Sequence, residues 1–269
     1  MLVGVFDSGI GGLTVLRELA TALPEHDLVY LGDTARVPYG TRSPETVIRY
    51  SLRVSSYLAD LGVGALVVAC NTASTHALPA LRLAGDRAGI QVFGVVEPGV
   101  EAALEVHHTG AIAVLGTEGT IRGRAYQDAI RLHAPDVPVE AIPCPLFVPL
   151  AEEGWVEGLV PEQVAEHYLG HLRGRVDTAI LGCTHYPALA PILHRVLPGV
   201  DLVDSARATA KAVRTAFGPP SAPTGTVRFL VTDHPERFQR VGRIFFGHDP
   251  VPVEWVDLGP AKGPFAMGR

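Results

Sequence analysis

The chain has 269 residues, 47% of them hydrophobic and 19% charged, with a formal net charge of −6. That mild acidity, with no basic stripe, excludes a general nucleic-acid binder, and any anionic ligand must be held by local groups. No apolar run reaches the ~18 residues of a membrane span, and the opening MLVGVFDSG lacks the basic region of a secretory leader, so we expect a soluble cytoplasmic protein with no membrane partner.

The first predicted strand, 2–6 (LVGVF), runs into Asp7, Ser8 and the glycines at 9, 11 and 12, with a helix over 12–22. This loop fails the dinucleotide pattern, because no glycine follows at the third place, and it fails the Walker pattern, because no GK[ST] follows. A phosphatase-type second Asp is also missing, since Gly9 occupies that position. The glycines are expected to bring backbone N–H groups close to a small carboxylate. Asp7 repels a carboxylate, so it reads as a partner for an ammonium group or as a proton relay.

A second strand, 28–32, leads into GDTARVPYGTRS (32–43) and a helix over 44–60. A third, 65–69, ends on Cys70, Asn71 and Thr72 and is followed by a helix over 72–88. Strand 91–96 meets VEPGVE (96–101), a candidate boundary. Strand 111–116 precedes Thr117 and Thr120 and a helix over 119–133. Strand 137–142, a helix over 161–173 and strand 178–182 then lead to Cys183, Thr184 and His185. A helix over 187–197, strand 200–204 with Ser205, a helix over 205–217 and strand 226–231 follow, and the tail 259–269 reads as loose.

Continuous apolar strands alternating with helices predict an α/β fold of doubly wound parallel sheets. In such sheets ligands sit at the carboxyl ends of the strands, where these polar residues fall. Helix capping alone explains Thr117, Thr120 or Ser205 equally well.

Capping explains less well why two strand ends carry a thiol. ALVVACNTAS (65–74) and TAILGCTHYP (178–187) share an apolar strand, a small residue, a cysteine and two hydrogen-bonding side chains. If two similar half-units face each other, the thiols flank one small ligand. One sulfur then takes a proton from a carbon while the other delivers a proton from the opposite side, inverting a stereocentre with no cofactor. A helix N-terminus after each strand is expected to lower the thiol pKa. The third cysteine, Cys144 in IPCPLF, reads as a core residue. There is no CxxC pair, so neither a disulfide framework nor a zinc knuckle is expected, and Cys183 with His185 lacks further spaced metal ligands. His76, His107 and His108 read as ordinary surface or helix histidines. A single-cysteine hydrolase or acyl transferase competes with this reading, because Cys and His are also the parts of such a site.

Several longer stretches together resemble the glutamate racemases of the aspartate/glutamate racemase family: GVFDSGIGGLTVLREL (4–19), YLGDTARVPYGTRS (30–43), VVACNTAS (67–74), GVVEPG (94–99), LGTEGTI (115–121), LGCTHYP (181–187), VDSA (203–206) and DHPERF (233–238). The resemblance implies cofactor-independent, two-base interconversion of L- and D-glutamate, supplying D-glutamate to peptidoglycan. An aspartate racemase is the nearby alternative, and a binding protein that keeps the fold is a third.

By the same resemblance Cys70 acts on the D-enantiomer and Cys183 on the L-enantiomer. Asp7 assists Cys70, while His185 and Glu152 assist Cys183. Glu152 and Glu153 read equally well as a solvated pair. Ser8, Pro38, Tyr39, Gly40, Asn71, Thr72, Thr117, Thr120 and Thr184 are implied to bind substrate. The implied division is 1–96 with 206–269 as one α/β domain and 97–205 as the other, with the site in the cleft between them. The oligomeric state is left open, a homodimer being among the options.

Overall fold

The structure is a computed structural model and describes residues 1–219 and 222–266. In chain order the first half runs β1 (Leu2–Asp7), α1 (Leu13–Ala22), β2 (Asp27–Gly32), α2 (Pro44–Asp60), β3 (Ala65–Val68), α3 (Asn71–Ala88), β4 (Gln91–Phe93) and α4 (Val96–Val106). The next stretch holds β5 (Ala111–Gly116), α5 (Glu118–Gly123), α6 (Ala125–His133), β6 (Val139–Pro143), α7 (Phe147–Glu152), α8 (Leu159–Leu169) and β7 (Val176–Gly182). The chain closes with α9 (Ala190–Val196), β8 (Asp201–Asp204), α10 (Ser205–Phe217), β9 (Val227–Val231), α11 (Pro235–Phe246) and β10 (Val253–Trp255).

The strands form two sheets in the orders β10-β9-β2-β1-β3-β4 and β6-β5-β7-β8. Every pairing in both is parallel, the α/β architecture expected from the continuous apolar strands. Central strand β1 shows why such strands have no polar face. Val3 and Val5 pack with Leu13 and Leu16 of α1, whereas Phe6 packs on the other side with Val54 and Leu58 of α2. Helices cover both faces, so both sets of alternating side chains must be apolar.

The C-terminal chain returns to the first sheet. There β9 extends the β2 edge, and α10 and α11 pack against α1. Helix α10 also touches α4, which buries Val96, Val100 and Ala103 against Ile112, Val114 and Ile180 of the second sheet.

Several sequence expectations change. VEPGVE is the first part of α4, so β4 stops at Phe93 and not at residue 96. The helix expected over 119–133 is two helices, because Arg124 takes the left-handed conformation with φ 61°. Helices α7 and α11 and strand β10 were not anticipated. Asp204, rather than Ser205, caps α10 by accepting the Ala206 N–H at 2.8 Å. The tail is not loose as far as it is described. Gly263–Phe265 forms a 3-10 turn, Phe265 is buried among α2 and α3 side chains, and the Lys262 N–H donates to Ser56 Oγ at 2.8 Å. Residues 267–269 of that tail lie outside the described residues.

Candidate active site

Strand β1 delivers Asp7 and Ser8, β3 delivers Cys70, and β7 delivers Cys183, Thr184 and His185. Contacts link these strand ends into one buried polar cluster. The Cys70 S–H donates to Ser8 Oγ at 3.5 Å. The Thr184 hydroxyl lies 3.5 Å from Asp7 Oδ1 and 3.5 Å from His185 Nδ1. His185 Nδ1 is 3.8 Å from Cys183 Sγ. The two thiols are near enough for charge on Cys183 to disfavour charge on Cys70.

The glycine loop lets the two sheets meet here. A Cβ at position 11 would fall 2.4 Å from His185 Nδ1, and one at position 12 would fall 2.4 Å from Asp7 Cβ. Glycine is therefore required by close approach. Contrary to the sequence expectation, the Gly9 N–H is not left free for a ligand: it donates to Asp7 Oδ2 at 2.8 Å.

Cys70 caps α3: it accepts the Ala73 N–H at 3.4 Å. The expected depression of its pKa is nevertheless reversed. Burial, with Asp7 next, pushes the thiol up to about 12, and the Ala73 N–H and Ser8 hydroxyl recover only part of the shift. Removing a charged sulfur from water outweighs a helix-terminal partial charge. Cys183 has no long helix behind it, only a 3-10 turn at Tyr186–Leu189 before the short α9.

Its neighbour His185 is buried and, on the far side of its ring, pairs through Nε2 with Glu152 Oε1 at 3.0 Å. Burial alone disfavours the imidazolium, but the hydrogen bonds to Cys183 and Glu152 together outweigh it and raise the His185 pKa. Glu152 is itself held below the usual carboxylate range, burial opposing and His185 and Arg237 prevailing. The Glu152–Glu153 pair is thus split, with only Glu153 largely solvated. Asp7 is raised by burial, which the proximity of His185 offsets only in part.

Around these groups lie neutral donors. The hydroxyls of Thr72, Thr117 and Thr120 form a triangle with sides of 3.0, 3.1 and 3.1 Å. Thr117 also caps α5, so capping and clustering coincide in one residue. The Gly40 carbonyl accepts the Gly119 N–H at 2.8 Å, bringing the 32–43 loop against α5. Asn71 is buried, with Oδ1 taking the Tyr126 hydroxyl at 2.5 Å and Nδ2 without a protein partner. Tyr39 turns its hydroxyl to Asp33 at 2.6 Å, and Pro38 beside it is exposed.

Asp33 was not singled out from sequence, although it follows β2 at its carboxyl end, where Asp7 closes β1. It accepts from Tyr39, Arg36 and Thr232 and so pins the loop that carries Tyr39 and Gly40. Arg237 was also missed, and its contact with Glu152 spans 85 positions of sequence.

Cys144 stays in the core of the second sheet, its sulfur 3.6 Å from the Ile142 carbonyl. His107 pairs with Asp177 at 2.9 Å, and His76 Nε2 lies 3.0 Å from the Gly119 carbonyl. Among the described residues no group of three His, Cys, Asp or Glu side chains is placed to share a metal ion. The cluster therefore offers two sulfurs with unlike partners, Ser8 at Cys70 and His185 at Cys183, with hydroxyl and amide side chains carried on the same strand ends. Such an array can move protons on and off a small polar molecule.

Comparison with known proteins agrees with this chemistry. Residues 8–213 match the Asp/Glu/Hydantoin racemase family model. The chain is 50% identical to the glutamate racemase of Geobacter metallireducens over 267 residues, covering 97% of this chain and 98% of that protein. It is 47% identical to the glutamate racemase of Aquifex aeolicus over 252 residues, covering 94% and 96%. Its fold matches the crystal structure of glutamate racemase from Francisella tularensis in complex with D-glutamate, with a TM-score of 0.87 and 34% identity, covering 96% and 97% of the two chains. By sequence and fold alike, the chain belongs to the Asp/Glu/Hydantoin racemase family.

Proposed function

We propose that this protein interconverts L- and D-glutamate by a two-base reaction that needs no cofactor. In the direction from L-glutamate, the Cys183 sulfur takes the Cα proton. The electron pair left on Cα is delocalised into the α-carboxylate, and Cys70 delivers its S–H proton to the opposite face. The enzyme ends with the proton on Cys183 and a thiolate at Cys70, and the reverse reaction starts from that form. His185, held by Glu152, assists at Cys183, and Asp7 assists at Cys70. Ser8, Asn71, Thr72, Thr117, Thr120, Thr184 and the loop of Pro38, Tyr39 and Gly40 bind the substrate.

The observation that carries this reading is the pairing of two strand-end thiols in one buried cluster with unlike proton partners. Cys70, pushed up to about 12, rests as the proton donor that the L-to-D direction requires. A hydrolase or acyl transferase has no use for the second sulfur. Glutamate is favoured over aspartate by the relatives at 47% and 50% identity, both named glutamate racemase. The same reading puts residues 1–96 with 206–269 in one domain and 97–205 in the other, with the cluster between them. It also assigns the enzyme to the cytoplasm, supplying D-glutamate to peptidoglycan. No helix among the described residues is long and apolar enough to cross a membrane. A homodimer is the assembly we would test first.

The test is incubation with L-glutamate in heavy water without pyridoxal phosphate. Deuterated D-glutamate, followed by optical rotation and by NMR at Cα, is the expected product. No exchange in either enantiomer, with folded protein and reduced thiols, would refute the reading.

A further inference from the structure

We infer that Arg237 is a positioning residue for the Cys183 half of the reaction, holding the Glu152 carboxylate so that it presents one oxygen to His185. The inference rests on the racemase reading. It begins from a division of labour within one carboxylate. Glu152 Oε1 faces His185 Nε2 at 3.0 Å, and Glu152 Oε2 accepts from Arg237 at 3.0 Å. With both oxygens engaged, the carboxylate has one orientation. Without the second contact it can rotate, and the ring loses the partner that fixes its orientation.

Glu152 is only 13% exposed and Arg237 is 41% exposed, so the guanidinium covers a mostly buried acid from its wet side. The other charged groups near Glu152 do not replace it. Asp7 is an acid, and Glu153 is an acid that itself approaches Arg237 at 4.0 Å.

The helix that carries Arg237 makes a second contact with the same imidazole. Phe245, two turns further along α11, sets its ring edge-on to His185, with centroids 5.0 Å apart. Helix α11 packs on α1 at the first sheet, whereas His185 and Glu152 belong to elements beside the second sheet. Arg237 therefore reaches across to the base side of Cys183, and no contact links it to Cys70. Its direct contacts lie on the Cys183 side, so its influence should fall first on that proton transfer.

Racemisation gives this a sharp readout. Enantiomers have equal free energy, so kcat/KM must be the same from either side, and any variant lowers both equally. The two directions differ in which transfer removes the proton from Cα. From labelled L-glutamate that step belongs to Cys183, and from labelled D-glutamate to Cys70. A slower Cys183 transfer makes abstraction from L more rate-limiting. It also makes abstraction from D more reversible.

The experiment compares wild type, Arg237→Gln and Arg237→Lys with 2-deuterated L- and D-glutamate. Arg237→Gln should lower kcat/KM by about two- to fivefold, the scale of one part-exposed ion pair. The deuterium isotope effect on kcat/KM should rise with labelled L-glutamate and fall with labelled D-glutamate. Arg237→Lys, which keeps the charge, should recover most of both changes, and thermal melting should be nearly unchanged in either variant. Isotope effects that stay put or move in the same direction would overturn the role, as would a Lys variant no better than Gln. A wild type that does not racemise glutamate would refute the racemase reading itself, and the inference with it; a racemising wild type whose Arg237 variants leave the two isotope effects unmoved, or shift them together, would sink the inference alone.

Discussion

The Cys70 and Cys183 strand ends start alike and part within two residues. Each is an apolar parallel strand closing on a thiol. After Cys70 an 18-residue helix begins at once, and the sulfur serves as its cap. After Cys183 the backbone turns through a 3-10 segment, and an imidazole occupies the space beside the sulfur. One thiol is left with its proton by burial and a neighbouring acid; the other lies beside His185, which pairs with Glu152, and Glu152 with Arg237. The enantiomers of a substrate mirror each other, but a protein of L-residues cannot mirror itself. Each face of the substrate must therefore be given a separate proton path, and matched strand ends are only where those paths begin.

The comparison breaks most decisively if the sulfurs are interchangeable. Cys70→Ala and Cys183→Ala should each lower racemisation by well over ~10²-fold, since one proton-transfer arm is lost. They should differ in Cα exchange with heavy water, because a lone base can still take and return a proton on its own face. Cys183→Ala should keep some exchange into D-glutamate and none into L-glutamate, and Cys70→Ala the reverse. NMR of each enantiomer separately reads this out, and identical patterns in the two variants would end the assignment.

Next in size is the loss of His185. His185→Asn should cost racemisation about 10²-fold, because the imidazole that shares a proton with Cys183 is gone. Like the arginine variant, it should raise the isotope effect on kcat/KM from labelled L-glutamate. A loss with unchanged isotope effects would show that His185 only shapes the site.

How much of this was legible beforehand differs by kind of feature. Doubly covered parallel strands must be apolar on both faces, so β1, β5 and β7 stood out as short unbroken runs. The rule that ligands gather at their carboxyl ends then pointed to Asp7, Cys70, Asn71, Thr117, Cys183 and His185 without any distances. Helices α4, α7 and α11 were hidden by their own composition. Helix α4 has Pro98 and Gly99 in its first turn, α7 is six residues long with Pro149 inside it, and α11 carries Gly242 within its apolar spacing. Partnerships were illegible for a different reason. Tyr39 with Asp33, Tyr126 with Asn71 and Arg237 with Glu152 exist only once the chain is folded. The error at Cys70 was of the same kind: a helix start is local and visible, whereas burial is tertiary and, here, the larger effect.

Two adjacent glycines sharpen the comparison further. Gly11→Ala puts a methyl 2.4 Å from His185 Nδ1 and 2.5 Å from Thr184 Oγ1, on the Cys183 side. Gly12→Ala puts one 2.4 Å from Asp7 Cβ and 2.9 Å from the Tyr30 hydroxyl, on the Cys70 side. Each should destabilise the fold by about 1–3 kcal/mol, as overpacking of a filled interior does. Among molecules that remain folded, the isotope effects should shift in opposite senses. Gly11→Ala should behave like the arginine variant and Gly12→Ala in the contrary way, as kinetics with both labelled enantiomers would reveal.

The smallest effect concerns stability, and its sign follows from burial. The Cys70 thiol ordinarily titrates near 9.0 and is pushed up to about 12 in the folded protein. Between those values the unfolded chain has released a proton that the folded chain still holds. Stability from this group is complete below about pH 9 and is lost as pH rises towards 12. By pH 10 the loss should be about 1 kcal/mol from this site. Cys144 is buried and raised in the same direction, so wild type carries both slopes. Urea unfolding at pH 8 and pH 10 should therefore show a smaller loss in Cys70→Ala than in wild type, while Cys144→Ala retains the Cys70 share. If Cys70→Ala keeps the full wild-type slope, the thiol already ionises in the folded state near its ordinary value. Cys70 would then not rest as the proton donor, and the asymmetry drawn between the two sulfurs would have to be sought in His185 alone.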